Sequence, residues 1–301
     1  MLEIRQILCP IDFSEVSRHA LDHARVFAGW YRARVTALHV RNPAFLQNPP
    51  LLFAEAPPGG GTAETDREYL EGQLRDWVGS LKTAGIETDV LVDEHYNPSA
   101  RIVDHAKTLP ADLIVMGTHG RGGFERLILG SVAEKVLRKA SCPVLTVPAP
   151  TVTSSKLPLK RMLCPVDFSE PSIAALELAF SIAEESDGRL TILHVFDWPT
   201  DDEVGGQWAL DLPEVRRQVE ERARQRVEAL VPRQVRDWCS PVPTLRYGKA
   251  YREILALADA EHTDLIVMGV HGRNAVDMML FGSTTNHVVR SASCPVLTLR
   301  R

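Results

Sequence analysis

The chain is written twice. "LCPIDFSE" at 8–15 returns as "LCPVDFSE" at 163–170, and "LHV" at 38–40 returns at 193–195, both displaced by 155 residues. Farther along, "DLIVMGTHGR" from 112 returns as "DLIVMGVHGR" from 264, and "SCPVLTV" from 141 as "SCPVLTL" from 293, now displaced by 152. A repeat of this length makes each half a folding unit of about 140 residues, an ordinary domain size. The reading is a first domain over 1–148, a linker over 149–160 ("APTVTSSKLPLK", rich in Pro, Ser and Thr) and a second domain over 161–301.

Within each half, short β-branched runs alternate with helical periodicity, the pattern of βαβ units on a parallel sheet. First-half strands are expected near 5–9, 34–40, 87–93, 112–116 and 143–147. Ser14 is placed to cap the first helix, whose Val16, Ala20, Leu21, Ala24, Phe27 and Ala28 form one apolar stripe. Ala175, Leu176, Ala179, Ile182 and Ala183 repeat the stripe behind Pro171, which suits a first turn. "DLIVMG" is apolar for five residues without alternation, as a central strand covered on both faces requires. The expected fold is therefore α/β, two tandem Rossmann-like domains with helices on both faces of each sheet. Ligands of such sheets bind beyond the carboxyl ends of the strands, where strand order reverses. Three repeated landmarks fall there: Asp12 and Asp167 after the first strand, Val40 and Val195 at the end of the second, and the glycine loops after the fourth.

Bulk properties narrow the partners. A net charge of −5 argues against nucleic-acid binding by phosphate neutralisation. No stretch approaches the ~20 apolar residues of a membrane span, and "MLEIRQILCP" is too short and too charged for a signal peptide, so a cytoplasmic protein is expected. Five cysteines without a CxxC pair read as reduced, buried thiols.

The glycine loops keep one spacing, G-x2-G-x9-G-S, in Gly117, Gly120, Gly130, Ser131 and in Gly269, Gly272, Gly282, Ser283. Val132, Val136, Leu137 and Ala140 then recur at helical spacing, so Ser131 is expected as N-cap with Glu134 closing a capping box. A helix start exposes N–H donors and a partial positive charge, each anion interaction contributing about 0.3–1 kcal/mol. Behind a glycine, phosphate oxygens can reach those donors. Arg121 and Arg273 add charge, and a triphosphate is the natural occupant. Asp12 and Asp167 suit a sugar hydroxyl or, through a divalent ion, a phosphate. His119 and His271 are as well explained by a surface loop as by phosphate contact, and His39 and His194 read as satisfied strand histidines. His19 and His23, four apart, read as a solvated helix face, because the second half has Ala174 and Leu178 there. No metal-ligating set and no catalytic residue is read.

In this order and over essentially both halves, these landmarks resemble the universal stress protein family, and the glycine spacing resembles the motif of its ATP-binding branch. The resemblance implies a five-stranded parallel sheet of order 3-2-1-4-5 in each half, of the adenine nucleotide alpha hydrolase-like kind, binding ATP, or AMP or ADP, with Mg2+. It places Pro10, Ile11, Asp12 and Val40 near ribose and adenine, and Gly117, His119, Gly120, Arg121, Gly130, Ser131 and Val132 around the phosphates. The second-half matches are Pro165, Val166, Asp167, Val195, Gly269, His271, Gly272, Arg273, Gly282 and Ser283, with Thr284 where the first half has Val132. It further implies that the halves pair through strand five as a pseudo-dimer within the chain, with association into a homodimer left open. The second half departs from the pattern: Asn286 stands for Glu134, and "RNAVDMM" for "RGGFERL" removes the counterpart of Arg126. Tighter nucleotide binding is expected in the first half.

No P-loop lysine pattern, no G-x-G-x-x-G after the first strand and no G-x-S-x-G elbow occurs. Fast phosphoryl transfer is not expected. The leading expectation is a nucleotide-responsive stress-response protein that engages an unidentified protein partner. The alternatives are a structural interaction module with empty or degenerate sites, and a slow ATPase.

Overall fold

The computed structural model describes residues 3–43, 63–119, 129–149, 159–196, 213–239, 241–270 and 282–300. The chain separates into two compact units, residues 3–150 and 151–301.

The first unit runs β1 (Gln6–Pro10), α1 (Glu15–Tyr31), β2 (Arg34–Arg41), α2 (Ala63–Trp77), α3 (Gly79–Thr83), β3 (Thr88–Glu94), α4 (Pro98–Thr108), β4 (Leu113–Gly117), α5 (Ser131–Lys139) and β5 (Val144–Val147). Its strands are parallel in the order β3-β2-β1-β4-β5, as expected. The second unit runs β6 (Arg161–Pro165), α6 (Glu170–Ser186), β7 (Arg189–Phe196), α7 (Pro213–Ala229), α8 (Arg233–Trp238), β8 (Val242–Tyr247), α9 (Ala250–Ala260), β9 (Leu265–Gly269), α10 (Ser283–Ser291) and β10 (Val296–Leu299). The order is the same, β8-β7-β6-β9-β10, again parallel. Each chain half thus leaves its first strand outward on one side and returns on the other. The strand ends on either side of β1, and of β6, form the mouth where such sheets hold ligands.

The core explains the strand pattern. Ile7, Leu8 and Cys9 of β1 and Ile114 and Val115 of β4 are wholly buried, as are Leu163 and Cys164 of β6 and Ile266 and Val267 of β9. Runs covered on both faces cannot alternate with polar residues. Helix α1 starts where Ser14 Oγ accepts the Ser17 N–H at 3.2 Å, and it buries Ala20, Leu21, Ala24, Phe27 and Ala28. Full burial of Phe27 alone contributes about 2–3 kcal/mol. Helix α6 starts alike, with Ser169 as N-cap and Pro171 in the first turn. One expectation fails here. His23 is not on a solvated face; it is buried at 3% exposure with Nδ1 2.9 Å from the His19 carbonyl oxygen, and burial holds its pKa below the usual value. A neutral imidazole satisfied by its own helix packs as an apolar residue does.

Candidate functional site

The two mouths are built alike, beginning with an aspartate turn. Asp12 Oδ1 accepts from the Ser14 N–H at 3.0 Å and from its hydroxyl at 2.6 Å. Asp167 Oδ1 accepts from the Ser169 N–H at 3.0 Å and from its hydroxyl. The residue inside each turn is forced into the left-handed region, Phe13 at φ 63° and Phe168 at φ 64°. For a bulky side chain this conformation costs about 1–3 kcal/mol and persists only where the surroundings over-determine it. The surroundings are aromatic. Phe13 lies 4.8 Å from the His39 ring and edge-on to Trp77 at 5.3 Å, while Phe168 lies 4.7 Å from His194 under the Arg226 guanidinium at 4.0 Å. His39 and His194 donate through Nδ1 to the carbonyls of Ile11 and Val166, both at 2.7 Å. They are satisfied strand histidines that fix the peptide just ahead of each aspartate.

The other wall comes from β4 and β9. The Thr118 N–H reaches the Val147 carbonyl at 2.9 Å and the Gly130 N–H returns to the Thr118 carbonyl at 2.8 Å. Val270 and Gly282 repeat both bonds, to Leu299 at 2.9 Å and to Val270 at 3.0 Å. The loops between, with Gly120, Arg121 and Arg126 in one half and His271, Gly272 and Arg273 in the other, lie outside the described residues.

Helix α5 then begins one residue earlier than a serine cap would have it. Gly130 is the N-cap, extended at φ −61° and ψ 142°, and no side chain caps the first turn. The expected capping box does not form. The Gly130 carbonyl takes the Glu134 N–H at 2.9 Å, so Ser131 is already helical, and the Glu134 carboxylate pairs with Arg138 at 2.7 Å. Helix α10 copies this, with Gly282 as N-cap, Ser283 first and the Asn286 N–H on the Gly282 carbonyl. Ser131 and Ser283 are exposed, while Val132 and Thr284 are half-buried behind them. Each helix start therefore presents its positive end without a side-chain oxygen of its own in place.

The glycines answer to a nearer neighbour than a ligand. A Cβ on Gly117 would lie 2.7 Å from Val16 Cγ1, and one on Gly269 would lie 2.9 Å from the Pro171 carbonyl carbon. The first turns of α1 and α6 thus press on the ends of β4 and β9, and the missing side chains let them. Gly130 is similar, since its Cβ would meet the Thr118 carbonyl oxygen at 3.0 Å.

His119 stands two residues beyond the end of β4. Its Nδ1 lies 2.8 Å from the Thr118 hydroxyl, and its buried Nε2 has no partner among the described residues. Burial lowers its pKa and keeps the imidazole neutral. Val40 and Val195 stand one residue before the ends of the second strands, opposite Asp93 and Arg246 respectively. Pro10 and Ile11, like Pro165 and Val166, lead into the aspartate turns, with the Ile11 and Val166 N–H groups on Leu38 and Leu193 at 2.8 Å. The phenylalanines were the residues that the sequence reading passed over. Their signal was the same Phe inside both copies of "DFSE", a place where only the turn makes φ positive.

Among the described residues no group of three or more His, Cys, Asp or Glu could hold a metal ion. All five cysteines are free, and burial pushes the thiols of Cys9 and Cys294 up to about 12 and that of Cys142 to about 11, which removes nucleophilic character at neutral pH. No described helix is long and apolar enough to cross a membrane.

Known proteins share this architecture. The model of the universal stress protein family matches residues 3–148 and again 158–300. A universal stress protein of Mycolicibacterium smegmatis is 27% identical over 302 residues, 98% of this chain and 96% of that protein. One of Methanocaldococcus jannaschii is 36% identical over 149 residues, 48% of this chain and 83% of its own length. Among solved structures, a universal stress protein from Archaeoglobus fulgidus superposes with a TM-score of 0.66 at 23% identity, over 98% of this chain and 96% of its own, a likeness of fold. With the family's domain matched once in each half, the chain belongs to the universal stress protein family.

Proposed function

We propose that the mouths take an adenine nucleotide, ATP foremost and AMP or ADP with fewer phosphate contacts, and that occupancy changes the surface this stress protein offers to a protein partner. The carrying observation is a juxtaposition built twice: a helix start without a side-chain cap beside an aspartate turn held in strained backbone. Strain of this kind gathers where a site is pre-organised, and a helix start of this kind attracts phosphate. The residues present fit such a group. Ser131, Val132 and the N–H groups of their turn face the phosphates, Asp12 holds a sugar hydroxyl or, through Mg2+, a phosphate oxygen, and the end of β2 at Val40 meets the base. Asp167, Val195, Ser283 and Thr284 take these roles in the second half, with weaker affinity because Arg126 has no counterpart there.

Fast turnover is not part of this reading, and a cytoplasmic location, pairing of the halves through their fifth strands and a homodimer of chains are carried with it. Mass spectrometry of small molecules released from freshly purified protein, followed by calorimetry with ATP and Mg2+, tests it. An adenine nucleotide in the extract and saturable binding are expected; an empty protein that is calorimetrically silent would overturn it.

The packing of Val16 on Gly117 and of Pro171 on Gly269 favours a second reading, an interaction module whose mouths stay empty, because it explains two of the glycines without a ligand. Partner binding that survives in a chain unable to bind ATP would install that reading instead.

A further inference from the structure

The second half holds a cavity of about 250 Å³ lined by Phe168, His194 and Phe196 and by Val219, Arg222, Ala223 and Arg226 of α7. His194 and Phe196 lie on the same face of β7, and Val195 between them points to the other, since side chains alternate along a strand. The cavity therefore opens on the face of β7 opposite the Val195 side chain.

The first half shows what such a place accepts. There the Phe13 and His39 pair is completed by the chain's own indole, Trp77, edge-on to Phe13, with the Arg18 guanidinium 3.9 Å over it. The second half keeps the phenylalanine and histidine pair and a guanidinium, Arg226, over it. It supplies no ring from the helix, because α7 contains no aromatic residue and presents Val219 and Ala223. Meanwhile the aromatic wall is longer, with His194 edge-on to Phe196 at 5.0 Å and Phe196 stacked on Tyr247 at 4.8 Å. Among the described residues no flat ring stands in the second half where Trp77 stands in the first.

We propose that this cavity binds a planar aromatic anion, a bicyclic ring of naphthalene or indole size bearing a carboxylate or sulfonate. The ring packs against Phe168 and Phe196, whose faces and edges take a further aromatic partner offset or edge-on. The anion meets Arg222 and Arg226, both exposed, whose planar donor forks match a carboxylate. A cationic ring is rejected by the same two charges. The proposal goes beyond nucleotide binding and does not rest on it.

The test is calorimetry of the full chain with 1-naphthoate and with 1-naphthylmethylammonium. One naphthoate per chain is expected, with the cation weaker by about tenfold or more, the loss of one charge-assisted contact. The double variant Arg222→Gln, Arg226→Gln changes exposed residues and should weaken naphthoate by about tenfold or more, while thermal unfolding shifts by no more than the loss of the Arg226 contact with Phe168. Ala223→Trp, which places an indole where the ligand goes, should abolish binding. Equal affinity for anion and cation, naphthoate binding indifferent to the double arginine variant, or displacement of naphthoate by ATP would each overturn the proposal. Failure of ATP to bind would leave it standing, so the two readings fail separately.

Discussion

The two mouths share a main chain and differ in what surrounds it. At the end of β2 stands Arg41, pairing with Asp66 of α2 at 3.1 Å and with Glu94, whereas its counterpart in the repeat, Phe196 of β7, stacks on Tyr247. Helix α2 is fastened by that ion pair and by Trp77, while α7 is fastened by the Tyr247 hydroxyl donating to Glu220 at 2.6 Å. Even the ion pair between third strand and following helix is kept with its polarity reversed: Arg101 of α4 bonds Asp93 of β3, and Arg246 of β8 bonds Glu253 of α9 at 3.3 Å. The turns that define each mouth are held by the same local hydrogen bonds in both halves, while their surroundings are packed by different side chains. Duplication has left the first fixed and let the second drift.

The sharpest way to break this comparison is at the matched glycines. Gly269→Ala sets its Cβ against the main chain and ring of Pro171, which cannot yield without shifting α6, and should cost about 3 kcal/mol. Gly117→Ala meets chiefly the tip of Val16, which can rotate, and should cost about 1 kcal/mol. Urea unfolding of the two variants measures both, and equal losses would mean that the halves pack alike.

Next come the helix starts. Ser131→Glu adds a carboxylate to an exposed first turn, where it should leave α5 unharmed or firmer by about 0.3–1 kcal/mol. The same charge repels phosphate, so ATP affinity measured by calorimetry should fall by about tenfold or more, or about 1.4 kcal/mol. Ser283→Glu should do less if the second mouth is the weaker site. ATP binding that ignores both variants removes the phosphates from these helices.

The N-caps should behave as twins. Ser14→Ala and Ser169→Ala each remove the cap and a donor to the neighbouring aspartate, at about 1 kcal/mol apiece in thermal unfolding. A large inequality would show that the turns are not equivalent after all.

The smallest effect concerns Asp93. Burial raises its carboxyl pKa, but hydrogen bonds from His105 and Arg101 lower it by more and leave it below the ordinary 3.8. A depressed folded pKa stabilises above the unfolded value and ceases to do so as pH falls through the folded one. Asp93→Asn should therefore flatten the loss of stability below about pH 4. Exchanging the charges, Asp93→Arg with Arg101→Asp, copies the polarity of the second half and should recover most of the pair's roughly 0.2–1 kcal/mol at neutral pH.

Much of this was legible beforehand. The strand positions expected for the first half hold to within one residue, and Ser14 caps α1, because apolar runs and serine caps are short-range signals. The cap at α5 was misplaced by one residue, since whether a serine or the glycine before it serves as N-cap depends on where the first carbonyl meets its donor, which the returning bond from Gly130 to Thr118 decides. At Gly117 the pressure of Val16, from a helix a hundred residues earlier, could not be seen in a linear pattern. His23 was placed on the wrong face for a related reason, as an imidazole satisfied by its own helix carries no outward mark in the sequence.

By itself, the sequence determined the duplication, the parallel strands and the placing of aspartate, valine and helix start at one end of each sheet, because those follow from periodicity and from residues acting within a few positions of themselves. Only the tertiary structure decided that Phe13 and Phe168 take a strained backbone, that Trp77 completes one aromatic cluster and that a cavity lies beside the other. Those outcomes depend on which side chains far apart in the chain arrive at the same point, and distance along a sequence does not encode that.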